Sequence, residues 1–294
     1  METWILLALL APLFYALSNV VDKFLLNNRV RYCFAMAPIA GFFALLFGLG
    51  ALFFVSFEGI TTTQMLIVFL LGIGISTVYV LYYYVMSVEE ASRVVSIAFL
   101  SPVFVLIFAA FFLGERLPGW KYLAVLLVIG GAVLIGMQGI QRGILMRKGF
   151  YWRLLTCLIN AGIVITQKYM LGDLQFLQLF SIQCFGLFFG LSLTLLSPKI
   201  RAHFKHVAKS THYVFLSEGL TFTGALILLA AMSRGPVSIT SALASVQPVY
   251  MLIFAILLSI FLPNILKEEF TRKTLAIKIV AVLMITVGAY LVAA

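Results

Sequence analysis

The feature that most constrains this chain is that it nearly repeats itself. Met86 to Ala109 reads MSVEEASRVVSIAFLSPVFVLIFA, and Met232 to Ala255, 146 residues later, reads MSRGPVSITSALASVQPVYMLIFA. Ten of these 24 aligned positions are identical, among them Pro102 with Pro248 and the closing Leu-Ile-Phe-Ala. An apolar alphabet shared by chance gives far fewer matches, so the two stretches are read as copies. A duplicated bundle of membrane helices, with its site between the halves, is the arrangement expected of a secondary transporter.

The solvent for such a chain must be lipid. It is 63% hydrophobic and 10% charged, with a mean hydropathy of +1.14, more apolar surface than a soluble fold of this length can hide. The formal charge of +10 lies in short breaks between apolar segments. Membrane topology accounts for it, and nucleic acid is excluded as a partner. Cys33, Cys157 and Cys184 are odd in number, show no metal-ligand spacing and sit in or beside apolar stretches, so they are read as packing residues. The opening METWILLALLAPLFYALSNVVDKFLL has no basic n-region, is too long for an h-region and lacks a small-residue cleavage site. It is expected to be the first span.

Apolar runs set against charged or turn-forming breaks predict ten spans, at 3–26, 32–56, 64–87, 93–112, 119–138, 151–170, 175–196, 212–232, 237–262 and 274–293. The expected fold is an all-α integral membrane protein with ten transmembrane helices. The basic stretch around 139–150 is the natural joint. It gives a first five-helix repeat (1–140), a basic linker (141–150) and a second five-helix repeat (151–294). The matched spans, fourth and ninth, are five crossings apart and so run in opposite directions, which makes the 5+5 repeat an inverted one. A weaker match agrees: Lys23-Phe24-Leu25-Leu26 ends the first span and Lys168-Tyr169-Met170-Leu171 the sixth.

Charge then chooses the orientation. Of the twenty Lys and Arg, sixteen fall on the side of breaks 1–2, 3–4, 5–6, 7–8 and 9–10, Arg93, Arg142, Arg147, Lys209 and Lys267 among them. Arg116, Lys121, Lys168 and Arg234 fall on the other. The positive-inside rule puts the sixteen in the cytoplasm and both termini outside, in a plasma (inner) membrane.

Ser101-Pro102-Val103-Phe104 through Leu113-Gly114-Glu115-Arg116-Leu117, followed by Gly130-Gly131-Ala132-Val133-Leu134, resembles the EamA branch of the drug/metabolite transporter superfamily. The resemblance covers the whole chain. It implies ten helices in an inverted five-plus-five repeat, a helix-four proline and a Gly-Glu-Arg-Leu after it. The second half keeps the proline as Pro248 and a late glycine as Gly288, but departs at the Gly-Glu-Arg motif, where Phe261-Leu262-Pro263 runs into a longer loop holding Lys267, Glu268 and Glu269. The family moves amino acids, other metabolites, sugars and drugs, so the resemblance does not choose a substrate. Many of its members are drawn with both termini cytoplasmic, the reverse of what this chain's charges predict.

Several residues could carry transport. A proline inside a helix removes one N–H and frees the carbonyl four residues back. For Pro102 and Pro248 those carbonyls belong to Ala98 and Ala244, so Ala98, Pro102, Ala244 and Pro248 are expected as paired kinks and flexing points. Val94, Ala98, Ser101 and Val105 share a face, as do their counterparts Thr240, Ala244, Gln247 and Met251. Ser101 and Gln247 are the polar lining on those faces, while Ser238, Ser241 and Ser245 look like a small-residue packing seam. Tyr15, Ser18, Asn19 and Asp22 form one polar stripe that should avoid lipid, with Asn160 and Gln167 in the matched span. Asp22 lies beside Lys23, so an interfacial ion pair competes with a substrate role. Tyr79, Tyr82, Tyr83 and Tyr84 crowd the end of the third span. Tyr79 and Tyr83 share a face with Ser76 and could hold a cation or stack a planar solute, against an interfacial belt as the other reading of the group, Tyr84 above all. The substrate-binding set is therefore Tyr15, Asn19, Tyr79, Tyr83, Ser101, Asn160 and Gln247.

Glu218 is the acidic residue furthest inside an apolar segment, with Thr221 one turn on. A carboxylate there costs several kcal/mol unless paired or protonated, which makes it a candidate for proton coupling or cation binding, set against a charge that reaches back to the interface. His203, His206 and His212 lie in the basic loop 197–212 without a Cys or carboxylate among them, so that loop is expected to meet anionic headgroups rather than a metal.

No His-Glu-x-x-His, Gly-x-Ser-x-Gly, aspartate pair or phosphate-binding Gly-Lys-Ser/Thr occurs in the chain, so neither an enzyme nor an ATP-driven pump is expected, and no cofactor. The leading expectation is a secondary carrier for a small polar or amphipathic metabolite, amino acid-like, cationic or neutral, coupled to protons if Glu218 serves. The other is a flippase or accessory subunit for a lipid-linked sugar or another polar-headgroup lipid. Expected partners are a small-molecule substrate and the lipid bilayer, with a homodimer permitted.

Overall fold

A computed structural model describes residues 2–28, 32–88, 100–136, 148–208, 211–261 and 272–293. Among the described residues every regular element is a helix. In chain order these are α1 (Thr3–Asn28), α2 (Ala37–Leu52, entered through a 3₁₀ turn at Cys33–Met36), α3 (Thr62–Val88), α4 (Ser101–Phe112), α5 (Gly119–Gly136) and α6 (Lys148–Met170). They continue as α7 (Phe176–Ser192), α8 (Pro198–Ala208), α9 (Thr211–Met232), α10 (Val237–Ala244), α11 (Gln247–Phe261) and α12 (Arg272–Ala293). Six segments are long and apolar enough to cross a bilayer: Thr3–Asp22, Cys33–Leu52, Thr62–Tyr84, Phe176–Leu196, Thr211–Met232 and Val237–Phe254. Four shorter apolar helices accompany them, in α4, α5, α6 and α12. The chain is a multi-pass integral membrane protein.

The distribution of side chains has the sense lipid demands. Leu66 and Leu70 on α3, Leu123 and Leu126 on α5, and Phe111 and Phe112 on α4 are exposed, whereas Ser18, Gln167, Gln183, Ser217 and Glu218 are buried. Apolar surface turned outward in this way costs nothing in hydrocarbon, and the polar groups must find partners within the bundle. α1 packs on α9, α3 on α6 and α7, α2 on α7, α4 on α6, and α5 on α12. Two of these seams are backbone to backbone. A Cβ at Gly72 would lie 2.2 Å from the Gln183 carbonyl oxygen, and one at Gly186 would lie 2.0 Å from that of Phe69. Likewise a Cβ at Gly131 or Gly288 would come within 2.7 Å of a carbonyl on the facing helix. Close approach of this kind substitutes for the hydrophobic effect, which does not operate between helices in lipid.

The Gly-Glu of the motif has a local explanation. α4 ends on Gly114, whose φ of +62° is left-handed, and Glu115 N–H donates back to Ala109 O at 3.1 Å, a glycine C-cap. The turn aims the Glu115 carboxylate at the first turn of α10. There it accepts the Ser238 backbone N–H at 3.0 Å and the Ser238 hydroxyl, capping a helix start from outside the helix. At the neighbouring end of α9, Lys168 Nζ donates to Met232 O at 2.7 Å and Gly235 O at 2.9 Å. One acid and one base thus hold both ends of the α9–α10 turn.

Three expectations need correction. The loop read at 197–211 is largely the helix α8, with Ile200 and Phe204 packed inward and Lys199, Arg201 and His203 exposed; a period of three to four, with Ile200 and Phe204 four apart, carries it. Second, the span read as 237–262 is interrupted. α10 stops at Ala244, a turn occupies Ser245 and Val246, and α11 begins at Gln247. Pro248 therefore sits in the first turn of α11, where a missing N–H leaves no carbonyl of its own helix bereft, instead of kinking a helix interior. Pro102 occupies the corresponding place in α4. Third, Ser238 belongs to the Glu115 cap, not to a serine seam. Arg93, Val94, Ala98, residues 141–147 and Lys267 to Glu269 lie outside the described residues.

Candidate functional site

The polar side chains gather round one cavity of about 490 Å³ at the junction of α1, α3, α4, α6, α7, α9, α10 and α11. Tyr15, Asn19, Tyr79, Tyr83, Ser101, Asn160 and Gln247 all line it, as do Glu218, Pro102 and Ala244. Pro248 does not reach it. A cavity of this size accommodates a small organic molecule.

α1 supplies the stripe Tyr15, Ser18, Asn19 and Asp22, which the helical repeat brings to one face. Its contact with α9 is polar. Ser18 Oγ lies 2.9 Å from Ser217 Oγ and 2.7 Å from Thr221 Oγ1, and Ser217 donates its hydroxyl to Asp22 Oδ1. Beyond it, Gly224 lets Tyr15 lie flat against α9, since a Cβ there would be 3.1 Å from the ring. Glu218, the residue after Ser217, is 4% exposed. Its Oε2 has no hydrogen-bond partner among the described residues. An unpartnered carboxylate oxygen away from water is costly, and it marks the least satisfied point of the bundle.

α3 contributes three tyrosines. Tyr79 and Tyr83 have ring centroids 6.3 Å apart, and Tyr82 and Tyr83 5.6 Å. Tyr82 lines the cavity with them. Tyr84 turns outward and meets Trp152 edge-on at 5.8 Å, the belt placement expected of it. Ser76 does not share the tyrosines' cavity. It bonds Ile73 O at 2.7 Å and faces Gly190 of α7.

The opposite wall is made of amides and hydroxyls. Asn160 Nδ2 donates to Ser101 Oγ at 3.0 Å, joining α6 to α4. Gln167 Nε2 donates to Gln183 Oε1 at 2.7 Å, joining α6 to α7. Gln183 is a site residue that sequence reasoning missed, and its signal was available: an amide in the middle of an apolar helix needs a partner or a cavity. Ser241 and Ser245 also line the cavity, although their spacing suggested a packing seam. Thr240 goes the other way. It is fully buried and bonds Pro236 O and Val237 O at 3.1 Å. Of the face inferred from Thr240 to Gln247, Ala244 and Gln247 line the cavity and Thr240 does not.

No Lys, Arg or His is found among the described residues that line the cavity, and no three His, Cys, Asp or Glu side chains converge among the described residues. The arrangement can hydrogen-bond a polar solute, stack it on tyrosine rings and oppose a positive charge. His203 lies away from it on α8, its ring 5.0 Å from that of Tyr32.

Residues 2–137 match the EamA-like transporter family. No curated protein matches the chain. A solved crystal structure, described only as that of a protein, is similar over 98% of this chain and 96% of its own, with a TM-score of 0.71 at 16% identity. That likeness is one of fold, over nearly the whole length of both chains.

Proposed function

From a chain whose first half belongs to the EamA-like transporter family, within the drug/metabolite transporter superfamily, we infer a secondary active carrier. It moves a small polar or amphipathic metabolite by alternating access, with Glu218 as the group that couples transport to protons. The observation that carries this reading is the shared cavity. Polar residues from helices of both matched halves, separated by up to 232 positions between Tyr15 and Gln247, face one space in the interior of a membrane bundle.

The packing supports an inverted repeat of ten helices. Matching the first five apolar segments to the last five pairs α1 with α6, α2 with α7, α3 with α9, α4 with α10–α11, and α5 with α12. Under that pairing the α1–α9 contact corresponds to α6–α3, α3–α7 to α9–α2, and α4–α6 to α10–α11 against α1. Every member of those pairs is a packed interface. α5–α12 and α2–α7 map onto themselves. The turn at Ser245–Val246 and the helix start at Leu100 are the matched points where the halves can flex.

Purified protein in liposomes tests the function. Counterflow of a labelled soluble metabolite is the expected result, and movement of labelled lipid alone would replace the carrier with a flippase. The charge bias supports an orientation with α8 in the cytoplasm and both termini outside, in a plasma (inner) membrane. Arg201→Cys, in a background with Cys33, Cys157 and Cys184 replaced, should be labelled from the cytoplasmic side; labelling only from outside reverses the topology.

A further inference from the structure

We propose that the end of the cavity between α1, α3 and α9 is a subsite for the cationic nitrogen of a protonated amine, with Asp22 as its counter-ion and Tyr79 as an aromatic wall. The proposal rests on the carrier reading and specifies the class of solute carried.

Charge is the first argument. Asp22 and Glu218 line this end of the cavity. No Lys, Arg or His does so among the described residues. Two acidic side chains in an apolar bundle leave a local charge that a cationic solute can balance. They are not equivalent. Asp22 is part-exposed and opens on the cavity, so a solute can reach it. Glu218 Oε2 is sealed and lacks a partner among the described residues, so a proton suits it better than a bulky head. This leaves Glu218 to coupling and Asp22 to the substrate.

The walls are the second argument. Tyr79 and Tyr83 stand edge to face at this end, and tyrosine faces attract ammonium groups. The Ser18 hydroxyl already pairs with those of Ser217 and Thr221 at 2.9 and 2.7 Å, and Ser217 donates to Asp22 Oδ1. These groups therefore do not form an open cage of oxygens for a bare metal ion, and Asp22 keeps Oδ2 for a solute. The about 490 Å³ of space is far more than an ammonium head fills. Leu187, Leu229 and Val164 beyond it suit an uncharged, partly apolar body, with the Asn160 and Gln167 amides to meet a neutral polar group.

Thermal stabilisation of the full-length protein in detergent tests the subsite. Three matched heads are compared, amine, alcohol and carboxylate, each on butyl, hexyl and phenylethyl bodies. At least one amine should raise Tm and bind about tenfold or more tightly than its alcohol, while the carboxylates should not bind. Asp22→Asn should remove that preference. Tyr79→Leu should weaken the amine about threefold and Tyr79→Phe, which keeps the ring, should not. An alcohol that binds as well as its amine, a preference that survives Asp22→Asn, or no shift with any amine overturns the proposal and leaves Asp22 to a pairing within the protein. If Asp22→Asn does not fold, the wild-type comparison of heads decides alone. Counterflow separates the two readings: exchange of a neutral solute with no amine preference sinks the subsite and keeps the carrier. Amine binding without solute exchange in liposomes sinks the carrier.

Discussion

Under the proposed repeat α3 and α9 occupy matched places, and they are built differently. At positions 146 apart, α3 has Gly72 and α9 has Glu218. Gly72 lies where the α3 and α7 backbones touch, and even a methyl group would collide with the Gln183 carbonyl. Glu218 lies where α9 turns toward the cavity, with a carboxylate oxygen that has no partner among the described residues. α9 takes its close contact elsewhere, against α1 at Gly224 and through the Ser18, Ser217 and Thr221 hydroxyls. One helix holds a tight backbone seam at this position, and the other holds a buried carboxylate.

Exchanging the two residues is the harshest way to break the comparison. Gly72→Glu would drive a charged side chain into a backbone contact, an overpacking cost of more than about 3 kcal/mol before desolvation is added. The expected outcome is no monodisperse protein by size-exclusion chromatography; a folded variant with unchanged Tm would show that the α3–α7 seam is not required. Glu218→Gln should spare the fold. Gradient-driven accumulation in liposomes should be lost while solute exchange continues, and unchanged driven uptake removes Glu218 from coupling.

Smaller effects sharpen the picture at the edges of the site. Glu115→Ala removes the acceptor at the start of α10 and should lower stability by about 2 kcal/mol, the worth of a charge-assisted hydrogen bond. A Tm unchanged in Glu115→Ala would mean that the turn holds itself. Asn160→Ala cuts the link to Ser101. Interhelical hydrogen bonds in membranes average about 0.6 kcal/mol, so solute affinity should fall only about threefold. A loss of a hundredfold would make Asn160 a direct ligand of the solute.

Much of the site was legible along the chain because lipid is an unforgiving solvent. Tyr15, Asn19 and Asp22 fall on one helical stripe, and polar groups on a membrane helix must point inward, so their convergence followed from spacing alone. Ser101 with Gln247 followed from the copied proline stretch. What spacing could not resolve was the difference between an inward direction and the cavity. Ser76 shares a stripe with Tyr79 and Tyr83 yet faces Gly190, because α7 is close enough there to take it. Ser241 and Ser245, spaced like a packing seam, line the cavity instead. Thr240 drops out because it is fully buried and its hydroxyl bonds Pro236 O and Val237 O.

By itself the sequence determined that this is a helical membrane protein, since apolar runs and charged breaks are properties of the chain alone, and the copied stretch is what proposes a duplicated unit. It also determined which polar side chains had to be hidden. The tertiary structure decided where they are hidden. It placed Gln183 beside Gln167, used Glu115 to cap a helix that begins 122 residues later, at Val237, and left Glu218 Oε2 without a partner among the described residues. Those outcomes depend on which helix lies opposite at a given depth. Periodicity fixes the angle of a side chain about its own axis and carries no information about its neighbour.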